Sequence, residues 1–65
     1  MKVKVYSNFP LDGGEKLKLA GLMKESKCPN ESLRITFPTR YQGIDEDSIY
    51  FDKGVHKKCV TEIEY

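Results

Sequence analysis

Residues 15–25 have the sequence EKLKLAGLMKE, in which nearly every residue is a strong helix former. Asp12 and Glu15 have the spacing of a capping box, in which each side chain accepts a hydrogen bond from the other residue's backbone. Apolar side chains follow at helical spacing: Leu19, Ala20, Leu22 and Met23. Because Pro29 disfavours helical backbone in the residue before it, the helix must end upstream. We therefore predict a helix over residues 13–27.

The same region allows a second interpretation. The run Lys16-Leu17-Lys18-Leu19 alternates polar and apolar residues, as a strand paired with residues 2–6 would. Gly21 is also unfavourable inside a helix. This alternative leads to an all-β five-stranded meander or a small barrel. The helix is favoured because residues 6–34 contain no Val, Ile or Thr, which are the residues that strands prefer.

The remaining apolar segments alternate with the two-residue period of strands. Residues 2–6 form the first of these segments and place Val3 and Val5 on one side. The other predictions are strands over residues 32–37, 48–52 and 57–65, a polar loop over residues 38–47, and a short hairpin turn at Lys53-Gly54. We predict a single α+β domain over residues 1–65 with the order βαβββ, in which one helix packs on one face of a mostly antiparallel sheet.

Composition and charge restrict the class of protein. The 65 residues include 11 Lys and Arg against 10 Asp and Glu, a formal net charge of +1. A transmembrane helix needs about 20 consecutive apolar residues, and a signal peptide needs about 7–15. No apolar stretch of this sequence is that long, so we expect a cytoplasmic protein. Cys28 and Cys59 are then expected to be free thiols. A core this small is marginal, and binding a partner or forming a homodimer would stabilise it.

The sequence contains few residues that could form a catalytic or metal site. His56 and Cys59 are three residues apart and Cys28 is a third candidate ligand, but structural zinc needs four ligands. The acidic run at residues 45–47 lacks the pattern of a calcium loop. Either cysteine could act as a nucleophile with His56 as the base and Asp52 orienting it, but the spacing of these residues does not indicate such a site. We therefore predict no enzymatic activity, no catalytic residue, no metal and no cofactor.

The sheet face away from the predicted helix has the composition of a binding surface. The side chains predicted on this face are Lys2, Lys4, Tyr6, Arg34, Thr36 and Tyr50. Arg40 and Tyr41 are predicted in the adjacent loop. Tyr and Arg are enriched at the hot spots of protein interfaces. Glu62 and Glu64 are predicted on the same face, and charges of both signs favour a protein partner over nucleic acid.

We therefore predict a small accessory or inhibitor-type protein, of the kind that bacteria and their phages encode, that binds a protein partner through this open face or an edge strand. The predicted contact residues are Lys4, Tyr6, Arg34, Arg40, Tyr41 and Tyr50. The alternative is a single-stranded nucleic-acid-binding protein, in which bases stack on the tyrosines and phosphates meet the cations.

Overall fold

The computed structural model describes residues 1–53 and 58–65, which form an α+β domain with a mixed sheet that does not close into a barrel. The elements are β1 (Lys2–Ser7), α1 (Gly13–Glu25), α2 (Pro29–Thr36), β2 (Tyr41–Asp45), β3 (Ser48–Phe51) and β4 (Cys59–Glu64). The strand order in the sheet is β2-β3-β1-β4. Strand β1 pairs in parallel with β3 and antiparallel with β4, while β2 and β3 are antiparallel.

Helix α1 confirms the predicted helix, although it ends two residues earlier, at Glu25 instead of residue 27. The capping box is present: the Glu15 amide donates to Asp12 Oδ1 at 2.7 Å, and the Asp12 amide donates to Glu15 Oε1 at 3.3 Å. Leu19 is fully buried, and Ala20, Leu22 and Met23 pack against the core. The apolar stripe therefore faces the sheet as its spacing indicates, and Gly21 lies on the exposed side of the helix.

The prediction of a strand over residues 32–37 is wrong, because residues 29–36 form helix α2. Pro29 occupies the first turn, where its missing amide costs no helical hydrogen bond. Leu33 and Phe37 are buried, whereas Ile35, which the strand interpretation placed beside them, is 80% exposed. The apolar residues of this segment therefore follow a helical period in which Leu33 and Phe37 share a face.

The predicted loop over residues 38–47 contains a strand, β2, so that prediction is wrong for residues 41–45. The order of elements is βααβββ instead of βαβββ. Strands β3 and β4 are separated by β1, so their connection is not the hairpin that was predicted at Lys53-Gly54. Gly54 itself lies outside the described residues.

Both helices pack on one face of the sheet, where the core lies. The buried hydrophobic residues are Val3, Val5, Leu11, Leu19, Leu33, Phe37, Tyr41, Ile49, Phe51 and Ile63. Alternate residues of β1, β3 and β4 supply the sheet side of this core, because successive side chains of a strand point to opposite faces. The side chains between them form the opposite face. No helix in the described part of the chain is both long and apolar enough to cross a membrane.

Candidate functional site

The sheet face opposite the helices, called here the outer face, is formed by residues that pair across all four strands. Their register gives three rows: Gly43, Tyr50, Tyr6 and Val60; then Asp45, Ser48, Lys4 and Glu62; then Lys2 and Glu64. Lys4, Tyr6 and Tyr50 therefore lie where the sequence predicted them. The prediction that Glu62 and Glu64 share this face is confirmed by their pairing with Lys4 and Lys2.

Two stacked tyrosines occupy the centre of the outer face. The ring centroids of Tyr6 and Tyr50 are 5.5 Å apart and the ring planes are 14° from parallel. Val60, beside Tyr6, is 55% exposed. Gly43, beside Tyr50, has nothing within 4 Å of the position that a Cβ would occupy, so the space next to the Tyr50 ring is open there. The row therefore presents aromatic and aliphatic area next to a position without a side chain.

Gly43, Asp45 and Val60 belong to this surface but were not predicted as contact residues. Gly43 and Asp45 were assigned to a loop because a glycine and the acidic run at residues 45–47 are typical of loops. The structure shows a strand with a register shift between Tyr41 and Gly43 instead. This bulge puts Tyr41 and Ile44 on the same side although they are three residues apart, and it hides the two-residue period. Val60 could have been found, since the alternation of the last strand already placed it with Glu62.

Two of the six predicted contact residues lie elsewhere than predicted because their segments fold differently. Arg34 is exposed in the last turn of α2, on the helix side of the sheet. Tyr41 is only 7% exposed and lies in the core, where its ring packs edge-on against Phe51 and its hydroxyl hydrogen bonds with Asn30. Burial raises the pKa of Tyr41, partly offset by the nearby charge of Arg34.

Arg40 lies in the turn before β2, in the adjacent loop where it was predicted, and is held in an intramolecular network. Its Nε and Nη2 donate to the two carboxylate oxygens of Asp52 at 3.0 and 3.1 Å, and its Nη1 donates to Glu15 at 2.7–2.8 Å. The guanidinium also lies 5.4 Å from the centre of the Phe51 ring. Asp52 accepts a further hydrogen bond of 3.0 Å from the Asn8 amide. Arg40 therefore ties the start of α1 to the ends of β1 and β3.

The Arg40 network predicts a specific loss of stability in acid. Hydrogen bonds from Arg40 hold the pKa of Asp52 below its usual value, more than burial raises it. A carboxyl whose pKa is lower in the folded state stabilises the fold above its unfolded pKa of about 4, and this contribution disappears as the pH falls through the folded pKa.

We expect Asp52→Asn to lower the free energy of unfolding by about 1.5 kcal/mol near neutral pH, since hydrogen bonds to a charged group are lost. The difference from the wild type should begin to shrink as the pH falls below about 4, where Asp52 of the unfolded chain takes up a proton, and should vanish as the pH passes the lower pKa of the folded state. Urea unfolding measured over this pH range tests it. The exposed Asp45→Asn is the control, and a difference that is independent of pH would contradict the assignment.

A groove of about 490 Å³ separates α1 from α2 on the helix side of the domain. Its lining residues are Leu17, Lys18, Gly21, Leu22, Glu25, Ser26, Ser32 and Thr36. The hydroxyls of Ser26 and Ser32 hydrogen bond to each other at 2.8 Å, which joins the two helices at one end of the groove. Among the described residues that line it, the charged ones are Lys18 and Glu25, and both are exposed, unlike the desolvated titratable groups that are typical of catalytic sites.

The candidate metal and nucleophile residues do not come together in the part of the chain that the structure describes. Cys28 is exposed before α2 and Cys59 is half-buried at the start of β4, and neither forms a disulfide. Within residues 1–53 and 58–65, no three His, Cys, Asp or Glu side chains cluster closely enough to hold a metal ion. His56, the remaining candidate ligand and base, lies outside these residues.

The chain was compared with protein-family models, with curated proteins and with solved structures, and none of the three comparisons found a match.

Proposed function

We propose that this chain is a non-enzymatic accessory or inhibitor-type protein that binds a protein partner through the outer face of its sheet. The observation that carries the proposal is the central row, in which the stacked pair Tyr6–Tyr50 lies between Gly43, which leaves open space beside the rings, and the exposed Val60. Tyrosine is enriched at interface hot spots because it combines a large apolar area with one polar group and few rotatable bonds.

Charges of both signs surround this row, as they surround the apolar centre of many protein interfaces. Lys2 and Lys4 lie on β1, whereas the carboxylates of Glu62 and Glu64 lie beside them on β4 and Asp45 lies on β2. Such a pattern favours a partner with complementary charges at fixed positions and disfavours others. The mixture therefore supports specific recognition of a protein.

The alternative, single-stranded nucleic acid binding, has less support from the structure than from the sequence. Arg34 lies on α2 and Arg40 is paired with Asp52 and Glu15, so neither contributes a cation to the outer face. The strand residues of that face carry two lysines and three carboxylates. Because phosphate contacts dominate nucleic acid affinity, a face with this balance of charge favours a protein partner.

We expect Tyr6→Ala and Tyr50→Ala each to weaken partner binding by about tenfold or more, the usual loss at a hot spot. The measurement is affinity capture from a lysate of the native cells, with and without nuclease, followed by titration of the captured protein. Phe9→Ala is the matched control, because Phe9 is an aromatic residue that is 70% exposed outside the strands. All three variants should keep their folded far-ultraviolet spectrum. Capture that is equal for the tyrosine variants and Phe9→Ala would contradict the proposal.

A gel shift separates the protein partner from the nucleic acid alternative. At about 50 mM salt, where phosphate contacts are strongest, we expect no retention of a single-stranded oligonucleotide. Retention that falls steeply as salt is added, together with capture that nuclease abolishes, would favour the alternative instead.

A further inference from the structure

The outer edge of β4 carries backbone groups that point away from the sheet. The Tyr65 amide donates to the Met1 carbonyl at 2.9 Å, and the Met1 amino group donates to the Tyr65 carbonyl at 2.7 Å. Pairs of this kind alternate along an antiparallel ladder, so Ile63 and Thr61 also bond to β1. The amides and carbonyls of the residues between them, Glu64, Glu62 and Val60, therefore point outward.

The two edges of the sheet differ in their ability to accept another strand. Strand β2 is interrupted by the register shift between Tyr41 and Gly43, and a bulge of this kind twists an edge away from further pairing. Strand β4 pairs with β1 over six consecutive residues without a shift. Within the described residues β4 is the last strand of the sheet on its side. Its outer edge is therefore the regular one.

Two of the three β4 residues whose backbone groups point away from the sheet carry a negative charge. Glu62 and Glu64 are exposed on the outer face. Among the described residues the ion pairs are those of Arg40 with Glu15 and Asp52, so the two glutamates form no salt bridge with their neighbours Lys4 and Lys2. A strand added beside β4 would place every second side chain next to these carboxylates.

We propose that the outer edge of β4 binds an extended segment of the protein partner by strand addition, and that this segment carries Lys or Arg at alternate positions. The proposal rests on the function proposed above and specifies the chemistry of the partner. Backbone groups of Val60, Glu62 and Glu64 supply the hydrogen bonds, and the two carboxylates select the cationic residues. A second copy of β4 is a poor occupant, because antiparallel pairing would bring glutamates of both copies onto one small patch.

The test uses the intact chain and a synthetic peptide of alternating Lys and Thr, with an alternating Glu and Thr peptide for comparison. We expect the lysine peptide to slow hydrogen exchange at the amides of Val60, Glu62 and Glu64, and the glutamate peptide to have no effect. The double variant Glu62→Gln/Glu64→Gln should bind the lysine peptide about tenfold more weakly, since two exposed ion pairs are lost. Glu31→Gln, which removes an exposed carboxylate from α2 on the helix side of the sheet, should bind as the wild type does.

A second variant separates strand addition from attraction between charges. Val60→Pro removes an outward amide without altering any charge or any bond to β1, and proline is tolerated at such edge positions. We expect it to fold and to lose peptide binding, whereas Val60→Ala retains it. Equal binding of the lysine peptide by Val60→Pro and Val60→Ala would overturn the proposal. It would also be overturned if, without peptide, protection of the three amides from hydrogen exchange increased with protein concentration, because a second copy would then occupy the edge.

The outcomes for the edge and for the outer face can be told apart. If capture of the partner requires Tyr6 and Tyr50 but is unchanged by Val60→Pro and by the double glutamate variant, the outer-face function stands and strand addition is wrong. If capture requires none of these residues, both proposals are wrong.

Discussion

Leu33→Ala is expected to lower the free energy of unfolding by about 2–5 kcal/mol, the usual loss when a buried leucine is truncated and a cavity remains. Leu33 is fully buried between α2 and the sheet, in contact with the core that also holds Phe37 and Phe51. A domain of this length has a total stability of about 3–10 kcal/mol, so one such change removes a large part of it. Urea unfolding followed by circular dichroism measures the loss.

Ile35→Ala is the matched control, because Ile35 lies on the same helix but is 80% exposed. Its effect should stay within about 0.5 kcal/mol, as for most surface substitutions. If Leu33→Ala does not fold, Leu33→Met provides the comparison, with an expected loss below about 1.5 kcal/mol. Equal losses at residues 33 and 35 would contradict the helix, because a strand would bury both side chains on one face.

Residues 29–37 show why the sequence predicted only part of the fold. Leu33, Ile35 and Phe37 are spaced as in a strand, while Leu33 and Phe37 alone are spaced as in a helix, so a short segment satisfies both periods. Pro29 was taken only as the end of the preceding helix, although proline is also favoured in the first turn of a new one. Helix α1 was predictable because its capping box and its lack of Val, Ile and Thr favour a helix over the strand that the alternation of residues 16–19 also allows.

The residues of the candidate site were also predicted correctly where the strands are regular and wrongly where they are not. Tyr6 and Lys4 on β1 and Tyr50 on β3 lie on the outer face as predicted, because a regular strand fixes the direction of every side chain once the buried residues are known. Arg40 and Tyr41 lie just before the bulge of β2, where the alternation is broken. Their partners, Asp52 and Asn30, are more than ten residues away in sequence, so local patterns contain no information about the pairing.

Arg40→Ala is expected to lower the free energy of unfolding by about 2–3 kcal/mol. The substitution removes the hydrogen bonds to Asp52 and Glu15 and leaves two carboxylates that are largely shielded from water without their counter-charge. Arg40→Lys should be more stable than Arg40→Ala but less stable than the wild type. A planar guanidinium donates to both oxygens of Asp52 and also reaches Glu15, whereas a single ammonium group cannot make all of these hydrogen bonds. Urea unfolding at neutral pH measures both variants.

Arg34→Ala is the control that decides the role of Arg40, since both arginines were predicted to contact a partner. Arg34 is exposed on α2, and its removal should change stability by less than about 0.5 kcal/mol. Stability separates the two residues because Arg40 connects segments that are distant in sequence, whereas Arg34 extends from one helix into solvent. If Arg40→Ala were as stable as Arg34→Ala and yet lost the captured partner, the ion pairs would contribute nothing to the fold. Arg40 would then be the contact residue that the sequence predicted.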